Sequence, residues 1–271
     1  MNRIQTLFQQ PEKKLVPFIT AGYPDADSTV DIVLAAEKAG ADMVEIGMPF
    51  SDPLADGPVI QESSQVAIKN GMNLPKILQI VRDIRKQSDI PIVLMGYLNP
   101  IQHYGTDKFF AEASDAGVDG LILPDLPPEE GDSHFKKIRE NGLSPILLVA
   151  PNSKDERMQR LGELAGDLLY AVSILGVTGS SINRNTHIAD YLQRIRKNTD
   201  TPFVVGFGIS TPEDAREMAE HADGVVVGSA LIQQLKNADD PAEAAYDFLK
   251  SLKEAIAGDR KSTRLNSSHY S

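Results

Sequence analysis

Met43-Val-Glu-Ile-Gly-Met-Pro-Phe-Ser-Asp-Pro-Leu-Ala-Asp-Gly-Pro58 reads as a short apolar strand with one carboxylate inside it, Glu45, and a Pro/Gly-punctuated loop carrying Asp52 and Asp56. A strand of a parallel sheet is covered on both faces and normally runs as continuous hydrophobics. An ionised carboxylate there is costly, so it finds a partner or shifts its pKa upward. An acid held in that state gives and takes protons near neutral pH. The plainer reading is a Glu satisfied by a neighbouring Lys or by backbone amides. The loop weighs against it, because it brings two more acids to the same end of the strand.

Outward from this stretch, short apolar runs alternate with helical-period segments eight times. The spacing predicts strands at Leu15–Ala21, Met43–Gly47, Ile90–Met95, Gly120–Pro124, Pro145–Ala150, Leu168–Ser173, Pro202–Phe207 and Gly224–Val227. Between them, stripes such as Ile77, Ile80, Val81 and Ile84 show the 3/4 spacing of a helix with one buried face. Ile188, Tyr191, Leu192 and Ile195 repeat the pattern, and Ala242, Ala245, Leu249, Leu252 and Ile256 close the series. Eight strand-then-helix units imply a parallel sheet, and eight is the number that closes a barrel. The expected fold is therefore α/β, a single (β/α)8 TIM barrel with an extra N-terminal helix. An open doubly wound sheet is the alternative, but its usual Gly-rich turn after the first strand is missing. Here that strand ends in Ala21-Gly22-Tyr23-Pro24.

The barrel is expected to span residues 1–258. The remaining 259–271 show neither apolar periodicity nor strand character, and Asp259 to His269 resembles a translated sequencing-adapter read. The 271 residues suffice for one α/β barrel, with 41% hydrophobic and 24% charged residues typical of a globular chain. A net charge of −11 argues against a nucleic-acid partner, which selects a basic face. The chain has no cysteine, hence no disulfide, thiolate ligand or Cys nucleophile, and its five histidines show no metal-ligand spacing. No metal site is expected. Met1-Asn2-Arg3 does not open a signal peptide and no segment approaches a membrane span, so the expected location is the cytoplasm.

Chemistry in such barrels sits at the C-terminal ends of the strands. That rule selects Glu45 with Asp52 and Asp56, Asp125 after strand four, and Tyr170 in strand six ahead of Gly176-Val177-Thr178-Gly179. Strand seven ends in Gly206-Phe207-Gly208 and strand eight in Gly228-Ser229. Small residues after strands seven and eight let backbone N–H groups approach a phosphate, with Ala230 to Gln233 as a short helix behind. No lysine is expected within a strand or at its C-terminal end, since Lys13 and Lys14 precede strand one. A Schiff-base aldolase needs such a lysine. Carbon–carbon chemistry here would rest on carboxylates alone.

These residues also carry a resemblance. The chain resembles the tryptophan synthase alpha subunit family from about Asn2 to Gly258, through Pro17 to Pro24, Val44 to Pro58, Pro124 to Glu130, Tyr170 to Gly179, Gly206-Phe207-Gly208 and Gly228-Ser229. The second of these is long and specific. The resemblance implies a lyase that cleaves indole-3-glycerol phosphate to indole and glyceraldehyde 3-phosphate. It implies Glu45 as the acid/base at indole C3 and the glycerol hydroxyl, and Asp56 as the acid at the indole N–H. Phe18, Ile60, Met95, Ile122, Tyr170 and Phe207 fall where the family lines the indole pocket, with Thr178 in the loop over the site. Gly179, Gly208, Gly228 and Ser229 fall at the phosphate. Ile174 stands where some members have arginine, so a closure role for that arginine does not transfer. The resemblance further implies no cofactor in this chain and a beta subunit partner, in an alpha2-beta2 tetramer, that carries pyridoxal phosphate. A free-standing lyase and an idle barrel kept as an interaction subunit are the competing readings. Retention of both Glu45 and Asp56 disfavours the idle barrel, since neither acid is needed for scaffolding.

Overall fold

The structure, a computed structural model, describes residues 2–173 and 181–257, except for the side chains of residues 181–186. Strands β1 (Lys14–Thr20), β2 (Val44–Gly47), β3 (Ile92–Met95), β4 (Gly120–Ile122), β5 (Ser144–Val149), β6 (Leu169–Ala171), β7 (Phe203–Val205) and β8 (Gly224–Val227) pair in sequence order, and β8 closes on β1. Every pairing is parallel. This is the expected (β/α)8 barrel, and α1 (Arg3–Phe8) is its extra N-terminal helix. Outside the barrel lie α2 (Thr29–Lys38), α3 (Pro58–Lys69), α4 (Leu74–Arg85), α5 (Leu98–Tyr104), α6 (Thr106–Ala116) and α7 (Pro128–Glu140). They are followed by α8 (Asp155–Ala165), α9 (Ser181–Asn198), α10 (Pro212–His221), α11 (Ser229–Leu235) and α12 (Pro241–Ala257).

The predicted stripes are the faces that pack. Ile77, Val81 and Ile84 of α4 are buried, as are Tyr191, Leu192 and Ile195 of α9 and Ala245, Leu249, Leu252 and Ile256 of α12. Two helices rather than one follow β2, β3 and β8. Several strands are shorter than their apolar runs. Leu123 and Pro124 continue β4 in sequence, as Gly206 and Phe207 continue β7, yet they lie past the ends of those strands.

The opposite end is held by a device repeated at every even strand. Asp42, just before β2, accepts the Leu15 N–H at 2.7 Å, while its own N–H donates to the Leu15 carbonyl at 2.9 Å. Asp119 before β4 and Asp223 before β8 do the same to Ile92 and Phe203, each accepting at 2.8 Å. Asp167 before β6 accepts the Ser144 hydroxyl at the start of β5. A helix-borne cation pairs with three of them: Lys253 with Asp42, Arg85 with Asp119 and Arg196 with Asp223. Each of these three clasps ties a strand to its predecessor and to an outer helix, and at β6 Asp167 does so through side chains alone, Ser144 of β5 and Gln5 of α1.

One expectation is corrected here. Lys14 does not precede strand one but is its first residue, 1% exposed, with Nζ donating to the Gln10 carbonyl at 3.2 Å. It belongs to the N-terminal end of the strand, where burying the aliphatic stem completes the barrel floor. Among the described residues, no lysine lies in the C-terminal half of a strand.

Candidate active site

Glu45 is the second residue of β2, flanked in the ladder by Phe18 of β1 and Val93 of β3, and is 1% exposed. Among the described residues its Oε1 has no hydrogen-bond partner. Neither plain explanation, a lysine or a set of backbone amides, satisfies that oxygen. Burial pushes the carboxyl up to about 8, the Asp56 charge adds to the rise, and hydrogen bonding from the Tyr170 hydroxyl opposes it. At neutral pH the group therefore holds its proton in a dry wall and loses it just above. Tyr170, buried in β6, is in turn held fully protonated by burial and by the two carboxylates.

Asp56 enters the same cleft from the loop between β2 and α3. Burial raises its pKa and hydrogen bonding to Tyr97 opposes the rise. The Tyr97 hydroxyl also accepts the Ala55 N–H at 2.9 Å, and its ring packs on Phe50 with centroids 5.3 Å apart. Tyr97 thus fixes the loop that delivers Asp56. The Asp56 charge is one cause of the rise at Glu45, so Asp56 ionises first and Glu45 second. Two acids in one cleft are thereby split into a carboxylate and a carboxylic acid.

The cleft, of about 370 Å³, opens at the C-terminal ends of the strands and lies within the range of small-ligand sites. Phe18, Ile60, Met95, Tyr170 and Phe207 line it with Glu45 and Asp56. Gly208, Gly228 and Ser229 form its other end. Gly208 has a φ of +74°, which glycine adopts without strain, and a Cβ built there would meet nothing within 4 Å. At Gly228 the nearest atom to a Cβ would be Phe18 Cβ at 3.5 Å. Gly208 thus has open room beside its backbone, and Gly228 lies at contact distance from the Phe18 side chain. Gly228 is the N-cap of α11, whose first turn leaves N–H groups without intrahelical acceptors.

Three of the expected residues stand elsewhere. Ile122 ends β4, 2% exposed, enclosed between its ladder partners Met95 and Ile146 rather than lining the cleft. Asp52 is exposed and accepts the Ser51 hydroxyl, outside the cleft. Asp125 accepts the Leu98 N–H with both oxygens at 3.0 Å, capping the entry to α5. Thr178, Gly179 and Ile174 lie outside the described residues, as do residues 259–271.

Two residues escaped the sequence reading. Tyr97 follows β3 by two positions, and the strand-end rule applied there would have flagged it. Gly206 looked like half of a phosphate turn. It is instead the seat of the Tyr170 ring, since a Cβ there would stand 2.0 Å from the ring and 2.2 Å from its hydroxyl.

The chain is similar to known proteins over nearly its whole length. A family model described as Tryptophan synthase alpha chain matches residues 4–258. The tryptophan synthase alpha chain of Petrotoga mobilis is 45% identical over 257 residues, covering 93% of this chain and 99% of the relative. The solved alpha subunit from Legionella pneumophila superposes with a TM-score of 0.89 at 40% identity, covering 95% of this chain and 99% of that one. A solved chain of the tryptophan synthase α2β2 complex from Pyrococcus furiosus, described for its mutual activation, gives 0.80 at 38% identity, covering 92% and 99%. On a match that runs nearly the full length at these identities, the chain belongs to the tryptophan synthase alpha chain family.

Proposed function

We propose that this chain cleaves indole-3-glycerol phosphate to indole and glyceraldehyde 3-phosphate, with Glu45 as the acid/base and Asp56 as the carboxylate at the indole nitrogen. The observation that carries the mechanism is Glu45, buried with one oxygen unpartnered and its pKa near 8, facing a cleft that also receives Asp56. As the acid, Glu45 gives its proton to C3 of the indole ring. The ring becomes an indoleninium whose positive N–H is stabilised by Asp56. Glu45, now a carboxylate, accepts the proton of the side-chain hydroxyl on the carbon attached to C3. The C–C electron pair moves into the ring, the hydroxyl carbon becomes the aldehyde, and indole is restored. Glu45 ends the cycle protonated, as it began. No external acid is consumed.

Phe18, Ile60, Met95, Tyr170 and Phe207 take the flat apolar ring, and Gly208, Gly228 and Ser229 take the phosphate through backbone N–H groups. Ile122 stands beside Met95 across the β3–β4 ladder and holds that wall in register, and the family resemblance assigns Thr178 and Gly179 to the substrate and its phosphate. The chain works as a lyase with a beta subunit partner, which alone carries pyridoxal phosphate, in the cytoplasm. The α2β2 complex of the Pyrococcus furiosus neighbour supports that assembly. Leu54, 95% exposed on the loop that delivers Asp56, gives the mouth an apolar contact for the partner. Among the described residues, no helix is long and apolar enough to cross a membrane. The barrel domain ends at Gly258, which the matched span 4–258 supports. A melt of the chain truncated there, with an unchanged midpoint, tests that boundary.

Turnover of indole-3-glycerol phosphate by the purified chain is the test of the function. Indole and glyceraldehyde 3-phosphate should appear in equal amounts, faster when beta subunit is added. A chain that releases neither, alone or with the partner, overturns the reading.

A further inference from the structure

Asp56, two residues before α3, and Ile60, in the first turn of α3, both line the cleft, and that turn is tied to β1. The Thr20 and Ser63 hydroxyl oxygens are 2.7 Å apart, and each residue is 1% exposed. Ser63 Oγ also donates to the Ile60 carbonyl at 2.8 Å. A serine hydroxyl has one proton, and Ser63 commits it to Ile60, so Thr20 is the donor of the pair. The chain of bonds therefore runs from the last residue of β1 through Ser63 to Ile60, which lines the cleft. Thr20 lies two residues beyond Phe18 on the same strand face and pairs with Gly47, two beyond Glu45. The strands that carry Phe18 and Glu45 are thereby joined to the helix turn that carries Ile60 and follows Asp56.

We propose that Thr20 and Ser63 are positioning residues for this reaction: their buried hydroxyl pair sets the first turn of α3, and so the places of Ile60 and Asp56 against Phe18 and Glu45. Other contacts hold α3 on either side of Ser63. Asn70 Nδ2 donates to the Gly22 and Pro24 carbonyls, and Lys236 pairs with Glu62 at 2.6 Å. Those contacts keep the helix on the barrel when the pair is removed. What the pair adds is the height and roll of the turn nearest the substrate. A displacement of about 1 Å at a reacting group can cost on the order of 10²-fold in rate, so a partial loss of this constraint is readable in kcat.

This inference rests on the reaction proposed above. The experiment compares Thr20→Val, Ser63→Ala and the double variant with Thr20→Ser in the full chain, assaying turnover of indole-3-glycerol phosphate. Thr20→Val keeps the shape without the hydroxyl, and Ser63→Ala suits a helix, so both should fold. At a temperature far below the melting midpoint, each single variant should lose roughly 5- to 20-fold in kcat with KM changed less than about threefold, the range set by a sub-ångström shift of a reacting group. The double variant should lose no more than the worse single one, because the two hydroxyls act as one unit. Thr20→Ser should recover most of the rate. Hydrogen exchange gives a readout without turnover: amides 61–66 should exchange faster in Thr20→Val and Ser63→Ala but not in Thr20→Ser. Rates within twofold of wild type in both single variants overturn the proposal, whatever their melting points. So do additive losses, or exchange unchanged in α3. A wild-type chain without lyase activity fails the functional reading instead, and the exchange pattern still decides the pair.

Discussion

Glu45 is the residue whose protonation the fold controls most closely. Its folded pKa, near 8, lies above the ordinary value for glutamate, and burial is the first cause. Between those two values the native chain holds a proton that the unfolded chain has released. Stability is therefore full below the ordinary pKa and declines as pH rises through about 8. The same titration bears on the reaction, because the acid form starts it. We expect kcat/KM to fall above about pH 8 and Tyr170→Phe to move that alkaline limb upward, since the tyrosine hydrogen bond favours the ionised carboxyl. A pH–rate profile checks both, and an alkaline limb that stays put in Tyr170→Phe would speak against the coupling. Glu45 was legible in the sequence because a carboxylate inside an apolar strand is an anomaly with few explanations. Asp52 and Asp56 were not separable, since both sit in one loop and only its folded path turns Asp56 inward and leaves Asp52 in water. Tyr97 was hidden for a different reason: an aromatic beside a strand end reads as ordinary core.

At the level of elements, the ends of β7 and β8 do unlike jobs that their glycines do not reveal. A methyl at Gly206 collides with Tyr170, whereas one at Gly228 finds ordinary contact distance. Gly206→Ala should therefore displace Tyr170 and cut turnover by about tenfold or more, a small part of the penalty a misplaced catalytic group can bring. Gly228→Ala should leave the melting point nearly unchanged while weakening binding of a glycerol-phosphate analogue, because the methyl meets Phe18 without a clash but crowds the backbone offered to the ligand. Calorimetric titration and thermal melts separate the two, and unchanged affinity in Gly228→Ala would remove the phosphate from that end. At the barrel floor, Asp119 has a side chain 4% exposed, pairs with Arg85 at 2.8 Å and accepts the Ile92 N–H. Asp119→Ala takes the carboxylate from the mostly buried Arg85, whose guanidinium keeps its bonds to the Gly117, Ser88 and Ile90 carbonyls, and leaves the Ile92 N–H without its acceptor, and should cost roughly 2–3 kcal/mol. A urea melt showing less than about 1 kcal/mol would deny the clasp its role. Strand positions were readable from the apolar runs, but their ends were not. Leu123 and Phe207 remain apolar after leaving the ladder, one buried and one lining the cleft, so hydrophobicity alone did not mark the boundary.

Across the whole molecule, eight repeats of strand and helix carried the fold, and closure followed from the count. The repeated aspartate clasps at β2, β4, β6 and β8 were present in the sequence at the starts of those strands. They went unread because an Asp before a strand also suits any turn. The partner surface was legible only through resemblance, since an exposed apolar side chain such as Leu54 is common on monomers too. If that loop docks the beta subunit, Leu54→Asp should weaken association and the partner's acceleration of the lyase, while partner-free turnover stays the same. Sedimentation with beta subunit checks this, and unchanged association would move the interface elsewhere. The central claim is that a barrel of this build breaks a carbon–carbon bond with one buried, protonated glutamate. Its most direct test is Glu45→Gln, which keeps the shape of the side chain and removes the titrating proton. Glu45→Gln should lower kcat by about 10²–10⁴-fold, with affinity for a glycerol-phosphate analogue within a few-fold of wild type. Because Gln carries no titrating proton, the stability of the variant should not decline with rising pH through about 8 as wild type does, and melts across that range separate lost activity from lost structure. Near-normal indole release by Glu45→Gln would contradict the account.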